Sequence, residues 1–102
     1  MVIVLGKVEV EPTDRETFIH AVSAVELATR QEVGCISYAF GQDSTRNDLF
    51  WLCESWSDLA ALTAHLETPH IAAFRAAIAP LKVRSFIAKR YDAENEVILI
   101  SR

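Results

Sequence analysis

The stretch "LFWLCESW", Leu49 to Trp56, is apolar on both of its sides. In an extended chain successive side chains point to opposite faces. Phe50, Leu52 and Trp56 therefore share one face with Glu54, and Leu49, Trp51 and Cys53 share the other. A strand with water on one side reads polar at every second position. This one does not. "VIVLGKVEV", residues 2–10, repeats the pattern, with Val2, Val4, Val8 and Val10 on one face and Ile3 and Leu5 on the other. A sheet containing both strands needs cover on both faces.

The neighbours of this stretch supply cover for one face. Before it, "CISYAF" alternates with Ile36, Tyr38 and Phe40 on one side, and "GQDSTRND" reads as the loop of a hairpin. A register that puts Ile36 opposite Leu52 and Tyr38 opposite Phe50 keeps the apolar sets together, and it sets Cys35 opposite Cys53. Phe18, Val22, Val25 and Ala28 recur at helical spacing over residues 14–31. Thr13 and Glu16 form a capping box at the start, and Gly34 stops the chain. After the hairpin, Ser57-Asp58 caps a short helix carrying Leu59, Leu62 and Leu66. Thr68 caps the next, with Pro69 in the first turn and Ile71, Phe74 and Ile78 as its stripe. "LKVRSFIAKRY" is a fourth strand, "DAEN" a turn and "EVILIS" a final short strand.

The order β-α-β-β-α-α-β predicts a single α+β domain over residues 1–102. It is a ferredoxin-like antiparallel sheet with helices on one face. The other face is left for a second copy, sheet against sheet, as a two-fold homodimer, and "EVILIS" fits a strand reaching the partner's sheet edge. The alternative is a tail that folds back over its own sheet.

Composition excludes several classes. The 102 residues are 51% hydrophobic and 24% charged, with a net charge of −4. No Lys/Arg cluster suits phosphate, so no nucleic-acid partner is expected. No run is long enough for a membrane helix. The start reads as a strand and not as a signal peptide, and two cysteines are too few for a disulfide scaffold or a zinc knuckle, which points to the cytoplasm and free thiols.

Residues 34–74 carry a more specific signal. Gly34-Cys35 precedes a strand, Glu54-x-Trp56 closes the next, Ala61-Leu62 lies in a short helix, and "HLETPH" from His65 to His70 joins two helices. This pattern resembles the antibiotic biosynthesis monooxygenase family of dimeric α+β-barrel proteins. The resemblance implies a shared frame for several chemistries: oxygenation of phenols and quinols without a cofactor, haem degradation, and isomerisation of small sugar-derived signals. The haem-degrading branch uses an Asn in the first strand, and "VIVLGKVEV" has none.

The resemblance places a pocket between the sheet and the helices. The expected walls are Phe50, Leu52, Glu54, Trp56, His70 and Phe74, around a small aromatic or quinol-like ligand, with His65 and Tyr38 as catalytic residues. An imidazole with a pKa of about 6.5 can take a proton from a phenol at neutral pH. His65 could equally complete the end of its helix by bonding free carbonyls. Glu54, on an apolar face, must be paired or hydrogen-bonded, and could orient a histidine. Trp56 reads as core or pocket wall, and His20 as surface. No metal site is expected. His65 and His70 are five residues apart with Pro69 between them, which breaks the i, i+4 geometry of a helical ligand pair, and the only carboxylate close in sequence is Glu67. Monooxygenation is thus one expectation. A proton-transfer enzyme such as an isomerase, or a non-catalytic ligand-binding dimer, is the other.

Overall fold

The computed structural model describes residues 1–102. β1 spans Val2–Val10, α1 Arg15–Thr29, β2 Cys35–Gln42, β3 Leu49–Trp56, α2 Leu59–Leu66, α3 Pro69–Ile78 and β4 Val83–Asp92, with a 3-10 turn at Pro12–Asp14. The strands form one antiparallel sheet in the order β2-β3-β1-β4, the ferredoxin-like arrangement. Val2, Val4, Val8, Val10, Phe50, Leu52 and Trp56 are all buried beneath Phe18, Val22, Val25, Leu62, Ile71 and Phe74 of the helices. Each fully buried aliphatic or aromatic side chain here contributes about 1.5–3 kcal/mol. No helix is long and apolar enough to cross a membrane.

The opposite face stays open. Leu5, Trp51, Ile87 and Tyr91 are each about half exposed there. The Trp51 indole is pinned across the sheet by a hydrogen bond to Asp43 Oδ1 at 3.0 Å and by Lys7 Nζ 5.5 Å from its ring centre.

Four local expectations are corrected. The capping box does not form. Thr13 lies within the 3-10 turn, and Asp14, at the N-cap of α1, turns its carboxylate to the Lys82 backbone N–H at 2.8 Å. Asp58 and Thr68 do cap α2 and α3, accepting from the N–H groups of Ala61 and Ile71. The hairpin register is shifted. Tyr38 faces Glu54, Phe40 faces Leu52 and Ala39 faces Cys53. A bulge between Cys35 and Ser37 absorbs one residue and turns Ile36 outward, to 58% exposure. The register follows from Tyr38 and Phe40 filling the aromatic core, which pairing by apolar character alone cannot distinguish.

The bulge also separates the cysteines. Cys35 packs against the core, and Cys53 is exposed on the open face. Finally, residues 93–102 form no strand. Val97, Ile98, Leu99 and Ile100 are 72–92% exposed. A strand needs a hydrogen-bonding neighbour, and past Ala93, which bonds Met1, this segment finds none within its own chain.

Candidate active site

A cavity of about 270 Å³ lies on the helix side of the sheet, toward the β4 edge. Tyr38, Leu52 and Glu54 form its sheet wall, Phe86 and Ala88 of β4 its edge, and His65, Leu66, Ile71, Phe74 and Arg75 its helical wall. The space exists because α1 and α3 pack on each other and leave β4 uncovered, so Phe86 remains 38% exposed. Gly6 lies between Leu52 and Ala88 in the sheet, where a Cβ would come within 3.1 Å of Leu52 Cβ.

His65 is the polar centre of this wall and is 1% exposed. Trp56 lies against its imidazole with ring centres 4.6 Å apart, and Tyr38 approaches to 5.3 Å. Its Nδ1 does not bond a helix carbonyl. It meets Glu32 Oε2 at 2.6 Å. Glu32 stands in the turn after α1, two residues before Gly34, whose φ of +86° closes that turn against α2. With Nδ1 committed to a carboxylate, the neutral ring carries its proton there and leaves Nε2 as an acceptor. Burial lowers the imidazole's pKa and the Glu32 carboxylate partly restores it.

Glu54 is 6% exposed and accepts the Trp56 indole N–H at 2.9 Å. Burial raises its pKa, and the indole hydrogen bond opposes the shift. Burial, then the nearby carboxylates, keep the Tyr38 phenol protonated far above its ordinary range, so its hydroxyl acts as a donor.

The sequence-predicted residues divide. His65, Tyr38, Leu52, Glu54 and Phe74 meet at the cavity. Phe50 does not reach it, being packed on Phe18 with ring centres 5.0 Å apart. Trp56 stands behind His65 and supports it. His70 points away, into a shallow groove with Ala21, Ala24 and Ala73, because its Nε2 is held by Glu32 Oε2 at 2.8 Å. His65 and His70 lie on different helices, as Pro69 between them dictates, yet both bond the same Glu32 oxygen. The break between α2 and α3 folds the rings to within 6.0 Å of each other. Glu32 was not foreseen, since 33 residues separate it from His65. The glycine turn beside it was its only signal. Phe86 and Ala88 share a parity in "LKVRSFIAKRY" that could have marked them.

Comparison with known proteins agrees with the fold. The sequence profile described as antibiotic biosynthesis monooxygenase matches residues 1–77. An uncharacterized protein of Synechocystis, sll1783, is 37% identical over 73 residues, 72% of this chain but 50% of its own, so the match spans about half of that relative. A Bacillus subtilis protein named "Putative monooxygenase YcnE" is 29% identical over 74 residues, 72% of this chain and 78% of its own. Among solved structures, "a putative antibiotic biosynthesis monooxygenase" from Deinococcus radiodurans superposes with a TM-score of 0.92. It has 26% identity and covers 99% of this chain and 100% of its own.

Proposed function

The chain belongs to the antibiotic biosynthesis monooxygenase family, and from that premise we propose that it oxidises a small phenolic or quinol-type compound with O2, the substrate itself supplying the electrons. The observation that carries this reading is His65. Its Nδ1 is held by Glu32, and its Nε2, without a protein hydrogen bond, belongs to a ring that lines an aromatic cavity. The cavity's 270 Å³ lies just below the roughly 300–1,000 Å³ typical of drug-sized ligand sites, which suits a one- or two-ring compound.

In this scheme Nε2 takes the phenolic proton, and the Tyr38 hydroxyl donates to the resulting oxyanion. The electron-rich phenolate reduces O2 and bonds it at a ring carbon as a peroxide anion. The proton on that carbon passes to the outer peroxide oxygen as the O–O bond breaks, and the departing hydroxide takes the proton held by His65 to leave as water. One phenol and one O2 become one quinone and one water. The four electrons needed to reduce both oxygen atoms come from the ring.

Oxygen uptake with hydroxynaphthalenes tests this directly. Wild-type protein is expected to consume one O2 per quinone formed, and His65→Ala to lose about 10²–10⁴-fold in rate. Equal rates would remove the base. A second reading draws on Glu54 and His65 sharing one cavity, since two proton-transfer groups also serve an isomerase. Turnover without O2 would favour it.

The reading includes a homodimer through the open sheet face. Leu5, Trp51, Ile87 and Tyr91 lie exposed on that face, and Val97 to Ile100 form an apolar arm with no partner in its own chain. Stable interfaces usually bury about 800 Å² per partner.

A further inference from the structure

Glu32, His65 and His70 meet behind the cavity, on the side of the His65 ring away from Nε2. Glu32 Oε2 lies 2.6 Å from His65 Nδ1 and 2.8 Å from His70 Nε2. All three donor atoms fall within 4.8 Å of one another. The side chains are 14%, 2% and 25% exposed, so the cluster is shielded but reachable past His70. One carboxylate oxygen serves both rings, while Glu32 Oε1 makes no protein hydrogen bond.

We propose that these three residues bind a divalent first-row transition ion such as Zn²⁺. Two imidazole nitrogens and one carboxylate oxygen form a donor set that such ions favour, with a fourth position for water or for Glu32 Oε1. Tetrahedral ligands about 2.0–2.1 Å from zinc stand about 3.3 Å apart. The two N···O separations therefore need to open by less than about 1 Å, and the two nitrogens, within 4.8 Å of each other, to close by at most about 1.5 Å. His70, a quarter exposed in the first turn of α3, can supply that movement. The ion would join the α1 turn, the end of α2 and the start of α3.

Occupation has a chemical consequence at the cavity. An ion on Nδ1 requires the neutral ring to carry its proton on Nε2. His65 then becomes a donor and cannot accept a substrate proton. The ion acts as an off-switch for the base. This consequence rests on the base reading above, whereas the metal site does not.

The test uses untagged, chelator-treated protein, titrated with Zn²⁺ in a calorimeter and with Co²⁺ by visible absorption. Wild type is expected to bind one ion per chain and to show the intense d–d bands of a four-coordinate site. Glu32→Gln and His70→Ala should each weaken binding at least tenfold, and His20→Ala should not. Circular dichroism checks that each variant is folded, and the partly exposed His70 carries the result if Glu32→Gln does not fold. Absence of binding, or equal weakening by His20→Ala, overturns the site. Stoichiometric binding that leaves oxygen uptake untouched keeps the site and removes the role of His65 as base.

Discussion

Replacing Gly34 by alanine should destabilise the fold through two separable causes. The first is conformational. At φ +86° an L-residue suffers the left-handed clash of Cβ with its own carbonyl, about 1–2 kcal/mol. The second is steric. The new Cβ would lie 2.6 Å from Ala61 Cβ and 2.8 Å from Ser57 Oγ. The serine hydroxyl can rotate away, but Ala61 sits on the α2 backbone and can move only with the helix. Overpacking of this kind costs about 1–3 kcal/mol. The stiffer unfolded chain returns about 0.4–1 kcal/mol. The net loss is about 1–4 kcal/mol, which for a domain of this size lowers Tm by roughly 5–30 °C.

Urea unfolding followed by circular dichroism measures the loss, and a second substitution separates its causes. Ala61→Gly alone costs about 1 kcal/mol of helix propensity. In the double variant it also removes the 2.6 Å contact. Gly34→Ala/Ala61→Gly should therefore be more stable than the sum of the single losses by about 1–2 kcal/mol. Strict additivity, or a Gly34→Ala variant as stable as wild type, would refute the close approach of the turn to α2. The same turn carries Glu32, so oxygen uptake should fall with Gly34→Ala even where the protein remains folded.

Other consequences can be checked alongside. Glu54 has a raised pKa in the fold, so its contribution is fully present below its ordinary value of 4.5 and is lost as pH rises through the folded value. Glu54→Gln keeps an acceptor for the Trp56 indole and should gain Tm over wild type increasingly above pH 4.5; a difference independent of pH would count against the burial penalty. Asp48, whose carboxylate accepts from Arg46 and Arg84, is held down at about 2, so its contribution is present above its ordinary 3.8 and fades as pH falls toward about 2. Asp48→Asn should lower Tm slightly at pH 7 and by progressively less as pH falls from about 4 through about 2, as calorimetry would read. Trp51→Glu on the open sheet face should shift light-scattering mass from twice the chain's 11.4 kDa to a single chain; a wild type already monomeric at micromolar concentration would sink the proposed dimer.

The sheet and its layers were legible in the chain's local pattern. Alternation in β1 and β3, the Asp58 and Thr68 caps and the proline opening α3 are local signals, and local sterics and hydrogen bonding act on them without knowledge of the rest of the chain. The family resemblance put a pocket on the helix side, and strand parity and helix spacing assigned His65, Tyr38 and Glu54 to that side, where they line one cavity. Tertiary structure decided the rest. The bulge that expels Ile36, and with it the β2–β3 register, depends on how Phe40 and Tyr38 fit under the helices. The partner of His65 depends on where the α1 turn comes to rest. Glu32 reaches both imidazoles only when Gly34 lets that turn close on α2 and the α2–α3 break folds the rings together. A side-chain contact between residues 33 positions apart is a product of packing, and no periodicity in the chain encodes it.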